Sequence, residues 1–258
     1  MTTGATTILV EQIMRNATNL AEQEFTEVAP AAELPKESNI LESAPQIVHK
    51  LGENLIKWTI PEELSVVENS PSLMPLAQRL FLWSFVYGIG PKRYLEIGTD
   101  AGGSAMIVKS AIAALGLDDF RGVCIDPEFK LVQTTRDYLG EQFTYIEQKN
   151  SPEAMIEAAR LAGSFDFILV DGDHTYDHAL IDIMLAIPYL SRGGYILIDD
   201  AAHPQVRDAI SYVIDNCRLI DCGFMCRHTI SYEVLVPSGV WQGENMRSAG
   251  LYLLRKPL

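Results

Sequence analysis

Long apolar runs are missing from this chain. No stretch of 18 consecutive apolar residues is present to span a bilayer, and the N-terminus shows no basic segment followed by an apolar core, so neither a membrane partner nor a secretory leader is expected and the reading is cytoplasmic. Positive charge is scarce too: 20 Lys and Arg stand against 34 Asp and Glu, for a formal net charge of −14. A surface of that sign repels a phosphate backbone, which excludes nucleic acid as an expected partner. The four cysteines, Cys124, Cys217, Cys222 and Cys226, contain no C-x-x-C pair and gather no further ligands, so reduced, mostly buried thiols are expected instead of a zinc site. The G-x-G-x-x-G run of a dinucleotide-binding turn is also absent.

What is present is an ordinary globular composition, 48% hydrophobic and 21% charged, organised around residues 165–200. Residues 165–170 are a short apolar run ending at Asp171 and Gly172, the pattern of a buried strand. Tyr176, Leu180, Ile183, Ile187 and Leu190 then recur at intervals of three and four, which predicts a helix with Asp177 and Asp182 outside its apolar face. Gly193 and Gly194 turn the chain into a second buried strand at 195–198. Strands joined by such a helix are parallel, so Asp171 and the pair Asp199 and Asp200 finish on one sheet edge, where ligands bind in open parallel sheets. Three carboxylates there repel one another unless a cation neutralises them, and all-oxygen sites favour Mg²⁺, Ca²⁺ or Mn²⁺. Asp is also common at strand ends for its local backbone hydrogen bonds alone.

The first forty residues resemble an accessory arm, with Leu9, Ile13, Leu20 and Phe25 on one helix side, followed by a polar, acidic linker; Trp58 falls in a short extended piece. Residues 73–87 place Leu76, Leu80, Trp83 and Val86 or Tyr87 at helical intervals, and Gly88 and Gly90 close that helix. From residue 93 strands and helices alternate. Strands are expected at 94–97, 122–125, 143–146, 165–170, 195–198, 219–225 and 251–254, with Ser104 capping the helix after the first. This predicts a doubly wound α/β domain with a mostly parallel sheet over residues 75–258, and an N-terminal arm with helical character over 1–74.

The turn after the first strand reads Tyr-Leu-Glu-Ile-Gly-Thr-Asp-Ala-Gly-Gly-Ser. Asp100 takes the place of a second glycine, which opposes a pyrophosphate and suits a cofactor carrying positive charge. Glu96 and Gly98, followed by Gly102, Gly103 and Ser104, resemble the cofactor loop of class I S-adenosylmethionine-dependent methyltransferases, a Rossmann-like fold, and the resemblance runs from Tyr94 to Leu258. It implies that Glu96, Gly98, Thr99, Gly102, Ser104 and Asp171 line the cofactor, that Asp126 holds the ribose hydroxyls, and that Asn150 and Ser151 meet adenine. A carboxylate can accept two ribose hydroxyls.

Asp171, Asp199 and Asp200 resemble the metal ligands of cation-dependent O-methyltransferases, and the Asp-Gly-Asp-His run at 171–174 is similar to the macrocin O-methyltransferase and cephalosporin hydroxylase-like branch. The resemblance implies S-adenosylmethionine and a divalent cation, Mg²⁺ first, as cofactors. It makes His174 the general base, near its neutral form at physiological pH, toward a small-molecule hydroxyl acceptor such as a sugar or natural-product intermediate. An oxidative enzyme with the same three aspartates, or a non-catalytic cofactor-binding subunit, are the alternatives. Residues 40–87 and 234–247, the latter with Trp241 and two glycines, are expected to form walls and lid over the acceptor, and a homo-oligomer is expected.

Overall fold

The computed structural model describes residues 62–149, 151–231 and 246–258. The chain divides into two units, Met1–Thr59 and Ile60–Leu258, and the described residues belong to the second. The expected arm helix, the piece around Trp58, the lid around Trp241 and Asn150 lie outside the described residues.

The unit opens with helices α1 (Glu62–Asn69) and α2 (Leu76–Ile89), followed by β1 (Arg93–Ile97), α3 (Gly103–Leu115), β2 (Arg121–Asp126) and α4 (Gln133–Leu139). After a 3-10 turn come β3 (Phe143–Glu147), α5 (Ser151–Ala162), β4 (Phe165–Val170), α6 (Tyr176–Tyr189), β5 (Leu190–Ile198), α7 (Pro204–Asn216), β6 (Ile220–Ser231) and β7 (Met246–Arg255). The strands form one seven-stranded sheet in the order β3-β2-β1-β4-β5-β7-β6. The first five run parallel, and β7 enters antiparallel between β5 and β6. The chain winds outward from β1 to β3, then crosses to β4 on the other side of β1. That reversal opens the crevice between the ends of β1 and β4 in which doubly wound sheets hold ligands.

Side chains alternate across the sheet, as the pleat requires. Leu95, Ile97, Val123, Ile125, Ile168, Val170, Ile196 and Ile198 pack one face against Ala158, Ile183 and Ile210. Tyr94, Cys124, Phe167, Leu169, Leu197 and Leu253 pack the other against Leu82, Val86, Ile107 and Ile112. With both faces covered, the strands read as continuous apolar runs, and those runs were legible.

The helix faces were less so. In α2 the buried residues are Gln78, Leu82 and Val86, while Leu76 and Leu80 are exposed and Leu73, ahead of the helix, is 90% exposed. The helical spacing locates the helix and its Gly90 stop, while the stripe it buries runs through Gln78, Leu82 and Val86. In α6, Asp182 is buried among Ala179, Ile183 and Ala186 instead of lying outside the apolar face. Ser104 does not cap α3: Gly102 is the cap residue and provides no side-chain bond. Of the cysteines Cys124 is buried and the other three are half-buried, all free.

Candidate active site

The crevice at the strand reversal begins with a close approach of two backbones. Gly98 follows β1 at φ +85°, and a Cβ there would stand 2.0 Å from the Asp171 carbonyl oxygen that follows β4. The Asp171 N–H donates to the Ile97 carbonyl at 2.8 Å, and the Gly98 N–H to the Ile125 carbonyl at 2.9 Å. The ends of β1, β2 and β4 are thereby drawn together, and only glycine fits at position 98.

Two cavities open around this point. One, of about 480 Å³, is lined by residues 71–75, Gln78, Gly98, Thr99, Asp100, Ser104, Lys130, Asp171, His174, Asp199 and Asp200 among others. The other, of about 590 Å³, is lined by Gly98, Asp126, Pro127, Lys149, Ser151, Asp171, His178, Ile181 and Asp182 among others. Gly98, Asp100, Asp171 and Gly172 belong to both.

In the second cavity the Asp126 carboxylate is held by two backbone donors, with the Asp100 N–H on Oδ2 and the Glu128 N–H on Oδ1, each at 2.8 Å. A carboxylate has about four acceptor positions, so acceptor capacity remains for a diol. Ser151 stands on the same wall, and Asp182, expected outside the apolar face of α6, is 5% exposed there. Burial raises the Asp182 carboxyl above its usual range. Asp100, at φ +46°, bridges the cavities, and its carboxylate pairs with Lys130 at 2.7 Å. Lys130, which pattern reading did not single out, thus carries cationic charge into the wall of the first cavity.

Glu96 lines neither cavity. It is wholly buried behind the loop, accepting hydrogen bonds from the Tyr94 hydroxyl at 2.6 Å and from Ser104. Burial pushes its carboxyl up to about 7, against the lowering effect of those two donors. Its part is to hold Ser104 in the cavity wall. Gly102 likewise stands behind the wall as the cap of α3.

Asp171, Asp199, Asp200 and His174 meet in the first cavity, as the strand-end argument requires. Burial raises the Asp171 carboxyl well above its usual value, and the charges of Asp199 and Asp200 add to the effect. Burial, then the charge of Asp200, pushes Asp199 up to about 7. Asp199 Oδ1 is buried with no hydrogen-bond partner. Among the described residues no set of three or more His, Cys, Asp or Glu is arranged as a ready metal cage, and Asp200 is engaged elsewhere: its Oδ2 lies 3.0 Å from His174 Nε2. That bond raises the His174 pKa above its ordinary value, so in the ligand-free chain the ring holds its proton more tightly than the sequence reading had it. The His203 ring lies nearby, tilted 42° to that of His174 with the centroids 6.3 Å apart. Asp173 accepts from the Thr175 N–H at 2.7 Å, and Thr175 Oγ1 meets His178 Nδ1 at 2.8 Å, so these residues brace the turn into α6.

Residues 95–201 match the family described as a methyltransferase domain. The fold is that of the class I S-adenosylmethionine-dependent methyltransferases. Solved structures with this methyltransferase fold include the Bacillus cereus O-methyltransferase in complex with S-adenosylhomocysteine, which aligns over 92% of this chain and 97% of its own at a TM-score of 0.53 and 14% identity. TomG of Streptomyces achromogenes, an O-methyltransferase involved in tomaymycin synthesis and solved with S-adenosylmethionine, aligns over 81% and 95% at 0.56 and 16%. In sequence, the rhamnosyl O-methyltransferase of Mycobacterium tuberculosis H37Rv is 27% identical over 121 residues, 44% of this chain and 49% of that enzyme. The mimivirus protein R132, from Acanthamoeba polyphaga mimivirus, is 30% identical over 129 residues, 47% of this chain and 58% of its own. The chain thus spans about half the length of the curated relatives it matches. Among the described residues no helix is long and apolar enough to cross a membrane.

Proposed function

We propose that this chain is an O-methyltransferase that moves a methyl group from S-adenosylmethionine to a hydroxyl of a small molecule, with a sugar or natural-product intermediate as the acceptor class. One observation carries the proposal: a cavity with a preoriented diol acceptor, Asp126, and a cavity with a His174–Asp200 pair and two further carboxylates meet at Gly98 and Asp171. A ligand bridging them has its sugar end at Asp126 and its reactive end beside the base. The rhamnosyl and tomaymycin-pathway enzymes named above support the activity and the acceptor class.

The reaction is a displacement at carbon. The acceptor oxygen forms a C–O bond to the methyl as the S–C bond breaks, and the hydroxyl proton leaves to His174. Asp200 accepts from His174 Nε2 in the ligand-free chain, orienting the ring. The orphaned Asp199 Oδ1 and the neighbouring Asp171 and Asp200 carboxylates offer the all-oxygen donors that a divalent cation of the Mg²⁺ type takes, with Asp200 turning from His174 to join them. When bound by these three aspartates, it would supply Lewis acidity that lowers the pKa of the acceptor hydroxyl.

The test is transfer of labelled methyl from S-adenosylmethionine to a panel of glycosides and catechols, with and without EDTA. Product that is lost in Asp199→Asn supports the proposal. Failure of every hydroxyl acceptor with a chain that binds the donor would overturn the O-methyl assignment.

A further inference from the structure

Gln78 is the most anomalous polar residue in the described structure. It sits on the buried face of α2, 0% exposed, in the wall of the first cavity, and neither its Nε2 nor its Oε1 has a hydrogen-bond partner. A buried amide left unbonded at both ends is costly, and its neighbours show why no protein group serves it. The next residue, Arg79, donates to the carbonyls of Met74 at 2.6 Å, Glu68 at 3.0 Å, Ser70 at 3.2 Å and Val67 at 3.4 Å, and also to that of Ser72. Those bonds pin residues 70–75 as a strap whose backbone lies directly on α3: a Cβ on Gly103 would stand 2.1 Å from the Ser72 nitrogen. Across the cavity wall, Ser104 is committed to Glu96. What remains open is the first turn of α3, where Gly103, Ser104 and Ala105 start a helix with no side-chain cap and their N–H groups have no intrahelical acceptor.

We infer that Gln78 is a binding residue for the amino-acid end of the cofactor. This rests on the cofactor reading above and adds a residue to it. A carboxamide offers one donor side and one acceptor side, which matches the carboxylate and the ammonium of a zwitterion. The open first turn of α3 favours the same carboxylate. Arg79 acts at one remove, as a positioning residue that holds the strap over the amide.

The experiment compares two ligands on the full chain by calorimetry: S-adenosylhomocysteine, and methylthioadenosine, which keeps the adenosine and sulfur but lacks the amino-acid end. In Gln78→Met, which preserves the shape of the side chain, S-adenosylhomocysteine should weaken by roughly tenfold to a hundredfold, as expected for lost bonds to charged groups. Methylthioadenosine should bind as it does to the wild type. The ligand-free variant should also melt higher, because an unbonded buried amide has been removed. If the Met variant does not fold, Gln78→Leu is read in the same way. Equal weakening of both ligands, or unchanged S-adenosylhomocysteine affinity, would overturn the assignment. A wild-type chain that binds neither ligand would overturn the cofactor reading itself.

Discussion

Gly98 is where fold and site depend on one atom, so Gly98→Ala is the sharpest single perturbation. The new methyl would stand 2.0 Å from the Asp171 carbonyl oxygen, 2.5 Å from its carbonyl carbon and 2.7 Å from the Gly172 nitrogen. All three are backbone atoms, so no side chain can rotate away and the ends of β1 and β4 must part. Overpacking of this kind costs about 1–3 kcal/mol, and the left-handed φ adds roughly 1–2 kcal/mol for a residue with a Cβ. The sum is about 2–5 kcal/mol. At roughly 2–4 °C per kcal/mol for a unit of this size, the melting temperature should fall by about 4–20 °C. Circular dichroism melting measures this, and calorimetry with S-adenosylhomocysteine should show binding weakened or lost because the two cavities meet at the displaced backbone. A melting temperature within about 2 °C of wild type, with unchanged binding, would refute the close approach of Gly98 and Asp171.

Three further predictions follow from the charges. His174→Ala should retain S-adenosylhomocysteine binding and lose about 10²–10⁴ of kcat; in the wild type, activity should rise with pH through the raised His174 pKa, because the proposed base must be neutral. Burial pushes Asp199 up to about 7, so the proposed cation would have to displace its proton: Mg²⁺ affinity should tighten as pH rises toward and through 7 and level off above, measured by calorimetry at several pH values. Glu96 is raised from 4.5 to about 7, so the folded state binds the extra proton. Its contribution therefore favours folding below about 4.5 and is lost as pH rises to 7, a slope worth about 3 kcal/mol at most. Denaturant titrations of Glu96→Gln should lack that slope, and a slope equal to wild type would contradict it.

The strands were legible because parallel sheets covered on both faces show continuous apolar runs, and 165–170 coincides with β4. The meeting of Asp171 with Asp199 and Asp200 was legible for the same reason: parallel strands end on one edge. Which face a helix buries was not. In α2 and α6 ten of the fourteen positions are apolar and lie on every side of the helix, so the buried polar residues Gln78 and Asp182 could not be separated from solvent-facing ones by spacing alone. Their surroundings come from other elements: the strap at residues 70–75 for Gln78, and the turn at Gly172 for Asp182, whose Oδ2 lies 2.7 Å from where a Cβ on Gly172 would stand. Glu96 was recognised by motif, but its alternation along β1 points it into the core with Tyr94, and its hold on Ser104 needed coordinates to see. Lys130 lay in a stretch with no periodicity, and only the ion pair with Asp100 brings it to the site.

The proposed function requires the paired cavities at the end of β1 to hold S-adenosylmethionine. Calorimetric titration of the purified chain with S-adenosylhomocysteine, in Mg²⁺ and again in EDTA, tests it most directly. Micromolar binding in both conditions is the expected result, since the cofactor walls do not depend on the cation. Absence of binding in both would contradict the claim and leave the three aspartates to serve a different chemistry.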